Sequence, residues 1–171
     1  MVSVAYSALW IMASYWFVKW KDWKLLYSTA LFSSVANLLY EVICYRYPLW
    51  AMEPNGLPNV TLNILLLSLI GMPLSTMIYL SYFPFERKWL AKLLYISFFV
   101  VLFVVMEYFA VLFGSITYHN GWSLFHSFLF DIGMFTILYV HYKNPLYAWI
   151  LSAILGFSIA GLFDITLDKM K

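Results

Sequence analysis

Residues 93–113 read LLYISFFVVLFVVMEYFAVLF, running from Leu93 to Phe113 with one charged side chain, Glu107. A helix needs about 20 apolar residues, at 1.5 Å of rise each, to cross the hydrocarbon core of a bilayer. A transmembrane β-strand would be about ten residues long and would alternate apolar with polar. Neither Phe98 to Met106 nor Ile64 to Ile70 alternates. The stretch therefore reads as a membrane-spanning α-helix.

Outward from it, similar apolar runs cover Val2 to Val18, Leu25 to Tyr45, Val60 to Phe83, Trp122 to Tyr142 and Leu146 to Ile165. With Leu93 to Phe113 as the fourth, six spans fill the 171 residues. The expected fold is all-α, a polytopic transmembrane helical bundle forming a single integral membrane domain over residues 1–171. Composition agrees: 64% of residues are hydrophobic and 11% charged, against about 25% charged in soluble domains. That excludes a soluble domain, and it excludes disorder. The formal net charge of +2 is dispersed between the apolar runs, so no nucleic-acid partner is expected. The partner is the lipid bilayer. Cys44 stands alone and forms no internal disulfide.

The charges also orient the chain. No basic segment precedes the first run, which therefore reads as a helix rather than a signal peptide. Lys19, Lys21 and Lys24 follow it, Arg87, Lys88 and Lys92 follow the third run, and Lys143 follows the fifth. Seven of the ten basic residues thus fall on one side, which the positive-inside rule makes cytoplasmic. Arg46, Lys169 and Lys171 fall on the other, with the long loop Arg46 to Asn59, and both termini are expected outside. Trp16, Trp20, Trp23, Trp89 and Trp149 mark the inner interface and Trp50 and Trp122 the outer one, as membrane anchors. Gly71-Met72-Pro73 should bend the third helix. Asn120-Gly121 reads as a tight turn and Asn144-Pro145 as a helix start.

Ionisable groups near the centre of a spanning helix cost roughly 2.5–3.5 kcal/mol, so each needs a reason. Glu41, Glu107, His126, Asp131 and Asp164 are the candidates. Ser33, Ser34, Asn37 and Glu41 form one stripe on the second helix. On the fifth, Ser123, His126, Ser127 and Asp131 share an arc of about 140°, wide enough to face the bundle centre. Ala110 and Gly114 offer close approach beside Glu107. In the sixth helix Ala148, Ser152, Gly156 and Ala160 recur every four residues, a spacing that lets helices pack closely.

By depth, Glu41, Glu107, His126 and Asp164 lie in the outward half, Asn37 and Asp131 near the midplane, and Asn63 at the outer start of the third helix. Together with Ser127 they are expected to form a polar chamber reached from outside. Arg46 stands above Glu41, and Tyr118, His119 and Trp122 are placed to roof the chamber. Several carboxylates do not ionise together in low dielectric without a compensating cation. Acid excess therefore points to cation or proton handling. The competing reading keeps Glu107 and Asp131 as neutral acids that fix helix packing. His119 and His141 fall at opposite faces, so the histidines make no common metal site; whether the acids hold a metal stays open, and no cofactor is expected.

Phosphate loops, GxGxxG, GxSxG, HExxH and CxxC are absent. Tyr47-Pro48-Leu49-Trp50, Leu57-Pro58-Asn59, Thr117-Tyr118-His119-Asn120-Gly121-Trp122 and His141-Tyr142-Lys143-Asn144-Pro145 with Ala148-Trp149-Ile150 are more informative. In these stretches the chain resembles a family of small multi-pass membrane proteins of spore-forming Bacilli and Clostridia. The resemblance implies a bacterial plasma-membrane protein and carries over no catalytic residue. Three functions follow as expectations. The first is a membrane protein that binds or conducts a cation, proton or small polar solute. The second is an intramembrane lipid-modifying enzyme using the same acids with His126. The third is an assembly component, for which a protein partner or homo-oligomer is left open.

Overall fold

A computed structural model describes residues 1–170; Lys171, counted above among the outer charges, lies outside the described residues. The chain is mostly helical. Its helices are α1 (Val2–Phe17), α2 (Trp23–Ile43), α3 (Val60–Leu66), α4 (Met72–Ser81), α5 (Trp89–Leu112), α6 (Leu124–Lys143) and α7 (Pro145–Leu162). A π-helical segment, Leu67–Gly71, joins α3 and α4 into one rod, so the rods number six among the described residues. Five of them are long and apolar enough to cross a membrane. The other, α1, is apolar but only 16 residues long.

Local chemistry explains the boundaries. Pro73 has no N–H and its ring crowds the carbonyl of the preceding turn, and here the helix meets that demand with the widened π-turn just before it. Asn59 caps α3 by accepting from the Leu62 N–H at 2.9 Å. Asn144 caps α7, with Pro145 at the first helical position. Gly114, expected to let helices approach, instead ends α5 at a φ of +64°, with the Ser115 N–H returning to the Ala110 carbonyl at 2.7 Å.

The α2 helix packs along α4, with α1 on the other side of α4; α5 packs on α6, and α6 on α7. Tyr6 donates to the Met106 carbonyl at 2.7 Å and closes α1 onto α5. The end of the bundle that carries Lys19, Lys92 and Lys143 is packed solid. Fully buried Tyr79 lies there among Phe83, Tyr95, Phe99 and Phe135, with ring centroids 5.0–5.6 Å away. Its hydroxyl donates to the Phe135 carbonyl at 3.0 Å, and Tyr95 donates to the Tyr79 carbonyl at 2.9 Å. The three lysines cover this end, each with its ammonium over an aromatic ring.

The opposite end is built differently, and the all-α reading lacked its main feature. Two short strands, β1 (Trp50–Met52) and β2 (Ile116–Tyr118), pair antiparallel with Trp50 opposite Tyr118 and Met52 opposite Ile116. Asn120 and Gly121, both at positive φ, turn the chain back, with the Trp122 N–H on the His119 carbonyl at 2.9 Å. This small sheet caps the bundle. Trp50 and Trp122, expected as interfacial anchors, belong to the cap: Trp50 stacks on Tyr40 at 3.8 Å, and Trp122 is only 6% exposed. By contrast Trp16, Trp20, Trp23 and Trp89 are exposed at or near helix ends.

Tyr79→Phe, which removes one interhelical hydrogen bond, should cost about 0.6 kcal/mol, the usual worth of such a bond in a membrane. Tyr79→Ala also empties the aromatic cluster and should cost several times more in thermal unfolding in detergent. Equal losses would contradict a packing role for the ring.

Candidate functional site

Between the solid end and the cap lies a cavity of about 590 Å³, walled by α1, α2, the π-segment, α5, α6 and α7. Most of its lining is apolar, with Phe32 and Trp149 at its inner end and Trp50, Met52 and Trp122 beneath the cap. No Lys, Arg or His lines it among the described residues. Two carboxyl groups do, Glu107 from α5 and Asp131 from α6.

Glu107 Oε1 accepts from the Ser127 hydroxyl at 2.5 Å and from the Tyr118 hydroxyl at 2.7 Å. The Trp122 indole N–H donates to Ser127 Oγ at 2.9 Å. One oxygen thus joins α5, α6 and β2. The Tyr118 phenol, outside the spans, is held above its ordinary range by burial first and by the Glu107 carboxyl second, so it stays a donor near neutral pH. Asp131 lies one turn inward of Ser127 on the same face of α6. It is 5% exposed, and its Oδ2 has no hydrogen-bond partner.

The remaining candidates are distributed unevenly. Asn37 also lines the cavity and donates to Ser68 Oγ, a buried hydroxyl of the π-segment, at 2.8 Å. His126 does not line it; its Nδ1 is 2.9 Å from Ser123 Oγ and its ring lies against Trp122 and Phe163. Glu41 does not line it either, and its buried Oε1 is unpartnered, so Arg46, which is exposed, does not reach it. Asn63 is fully buried beneath the cap and donates to the Glu53 carbonyl. His119 is exposed on the cap, where Nε2 is 2.9 Å from Thr117 Oγ1. Asp164 is exposed beyond α7, with its carbonyl accepting from Lys169 at 2.7 Å.

The expected polar chamber is therefore an apolar cavity with a local acidic pair. The stripes turn inward only in part: Ser33 lines the cavity while bonding the Ala30 carbonyl of its own helix, whereas Ser34, bonded to the same carbonyl, and His126, bonded to Ser123, do not line it. Of the small-residue series of the last helix, Ala148 is fully buried in the packed core, and the other three have a different use. Ser152, Gly156 and Ala160 line the cavity, and a Cβ on Gly156 would meet nothing within 4 Å. Close approach of α6 to α7 occurs at Gly133, where a Cβ would sit 3.1 Å from Leu155. Among the described residues, no three His, Cys, Asp or Glu side chains are grouped to hold a metal ion.

Sequence reasoning missed Tyr40. Its hydroxyl donates to the Trp50 carbonyl at 2.7 Å and accepts the Leu49 and Trp50 N–H groups at 3.0 and 2.9 Å, which fastens the cap to α2. Tyr47–Trp50 and Thr117–Trp122 form most of this cap. Comparison of the chain with protein-family models, curated proteins and solved structures finds no match.

Tyr40→Phe leaves two amides and a carbonyl of the cap without their partner. Amide exchange at Leu49 and Trp50 should accelerate by at least about tenfold, since one lost hydrogen bond is worth about 1 kcal/mol and here three are lost. Unchanged exchange would show that the strand pairing alone holds the cap.

Proposed function

We propose that this chain is a multi-pass protein of the bacterial plasma membrane that binds a small cation or cationic solute at Glu107 and Asp131, with both termini and the cap on the outer face. The observation that carries this reading is the Asp131 carboxyl, nearly fully buried, unpartnered at Oδ2 and lining a cavity that has no basic side chain among the described residues. A buried acid in that setting stays neutral or takes a positive partner. A cationic ligand satisfies both carboxyl groups at once.

Binding is favoured over conduction. The aromatic packing around Tyr79 fills the inner half of the bundle, and the cap covers the outer end. The enzyme reading loses a participant, because His126 is turned toward Ser123, Trp122 and Phe163. The orientation rests on the seven basic residues at the solid end. It is checked by cysteine labelling of intact cells with Cys44 replaced by Ala. Leu167→Cys, at an 86% exposed position, should react with an impermeant reagent, and Glu86→Cys should not. The reverse pattern would invert the topology.

Thermal stability across Na⁺, K⁺, Mg²⁺, ammonium and methylammonium tests the site. A cation at about 100 times its dissociation constant should raise stability by about 2.7 kcal/mol. Asp131→Asn and Glu107→Gln keep the shapes of the side chains and should abolish the gain. No cation-specific gain, with both variants as stable as the parent or more so, would assign the acids to packing.

A further inference from the structure

Around the hollow half of the bundle, one seam differs from the others. Tyr6 on Met106 and Trp10 against Phe103 close α1 to α5, and Glu107 on Ser127 closes α5 to α6. Asn37 on Ser68 closes α2 to the π-segment. The seam between α2 and α7 is closed only at its ends. At the inner end the rings of Phe32 and Trp149 meet, with centroids 4.9 Å apart. At the outer end Cys44, Leu49, Trp122 and Ile165 form a buried cluster, and the Lys169 ammonium lies over the Tyr47 ring. Between these, no hydrogen bond or ring contact joins α2 to α7 among the described residues.

The side chains along that gap both line the cavity and face outward: Ala36 and Leu39 on α2, and Ala153, Gly156 and Phe157 on α7. Leu39 is 47% exposed and Phe157 79%. A residue that lines a cavity and is exposed stands at its mouth. Both helices are long and apolar enough to span a membrane, so this mouth faces acyl chains rather than water. The outer route is blocked by the cap, where Leu49 is fully buried and Trp50 is clamped on Tyr40.

A molecule reaching the acids thus travels through the bilayer, a route that favours an organic cation with an apolar body over an inorganic one. It also has to satisfy an acidic pair inside a mostly apolar cavity whose volume suits a small organic ligand. We propose that the ligand is an amphiphilic amine, an ammonium head on an apolar body, which enters sideways between α2 and α7 and places its head at Glu107 and Asp131. This deepens the cation-binding reading above and rests on it.

The test uses the full chain in phosphatidylcholine nanodiscs, with thermal stability read against n-octylamine, methylamine and n-octanol. Octylamine should stabilise the parent at a concentration at least about tenfold below that needed of methylamine or octanol. Gly156→Leu, at a position where an added Cβ meets nothing within 4 Å, places its side chain at the mouth and should weaken octylamine by at least about tenfold, with Gly156→Ala between it and the parent. Gly161→Leu is the matched control: a Cβ there also meets nothing within 4 Å, and Gly161 does not line the cavity. It should bind octylamine like the parent, and Asp131→Asn should not. If methylamine matches octylamine and Gly156→Leu affects neither, lateral access is overturned while cation binding stands. If octanol matches octylamine and Asp131→Asn is indifferent, both readings fall. No stabilisation by any of the three overturns the amphiphilic-amine proposal, and the cation reading then stands only if Na⁺, K⁺, Mg²⁺ or ammonium gives a gain that Asp131→Asn abolishes.

Discussion

A single carboxyl oxygen, Glu107 Oε1, accepts from Ser127 on α6 and from Tyr118 on β2, and so ties α5 to its neighbouring helix and to the cap. In hydrocarbon such hydrogen bonds have no water to compete with them, and an unmet polar group is costly. The same bonds occupy one oxygen of one acid and leave Asp131, one turn further in, with Oδ2 unpartnered. The stabilising interaction and the unsatisfied group belong to one arrangement. Both carboxyl groups face a space that no basic residue lines among the described residues.

The division of the bundle gives that space its character. Aromatic side chains around Tyr79 interlock at one end, so the helices are fixed there without help from the other. The opposite end can then stay hollow, its walls held apart by a cap that Tyr40 fastens to α2 and Glu107 fastens to α5. Small residues on α7 face the hollow and widen it. A protein built only for packing would be expected to fill this volume, because a void forfeits the dispersion contacts of its lining.

Much of the fold was legible in the sequence because hydropathy reports burial in lipid directly. The six apolar runs match the six helical rods to within a few residues at most ends, and Asn144-Pro145 and Asn120-Gly121 behave as their chemistry dictates. Pro73 signalled an irregularity, although periodicity does not distinguish a bend from the π-turn observed. Less was legible at the site. Glu107, Ser127, Asp131 and Asn37 were found because polar groups are conspicuous in an apolar run. Helix order is absent from sequence, however, so nothing distinguished those that face the cavity from Glu41 and His126, which do not. The cap was harder still. Its strands are three residues each and lie far apart in the chain, and the hydrogen bonds of Tyr40 connect a helix to a loop whose conformation no local pattern specifies.

The most direct measurement is the infrared difference spectrum of the carboxyl C=O stretch on adding octylamine, with the Asp131 band identified by its loss in Asp131→Asn. The account requires that band to change as the amine binds, because the ammonium head takes the oxygen that lacks a partner. An Asp131 band that stays unchanged while octylamine stabilises the protein would contradict it, and would place the ligand elsewhere.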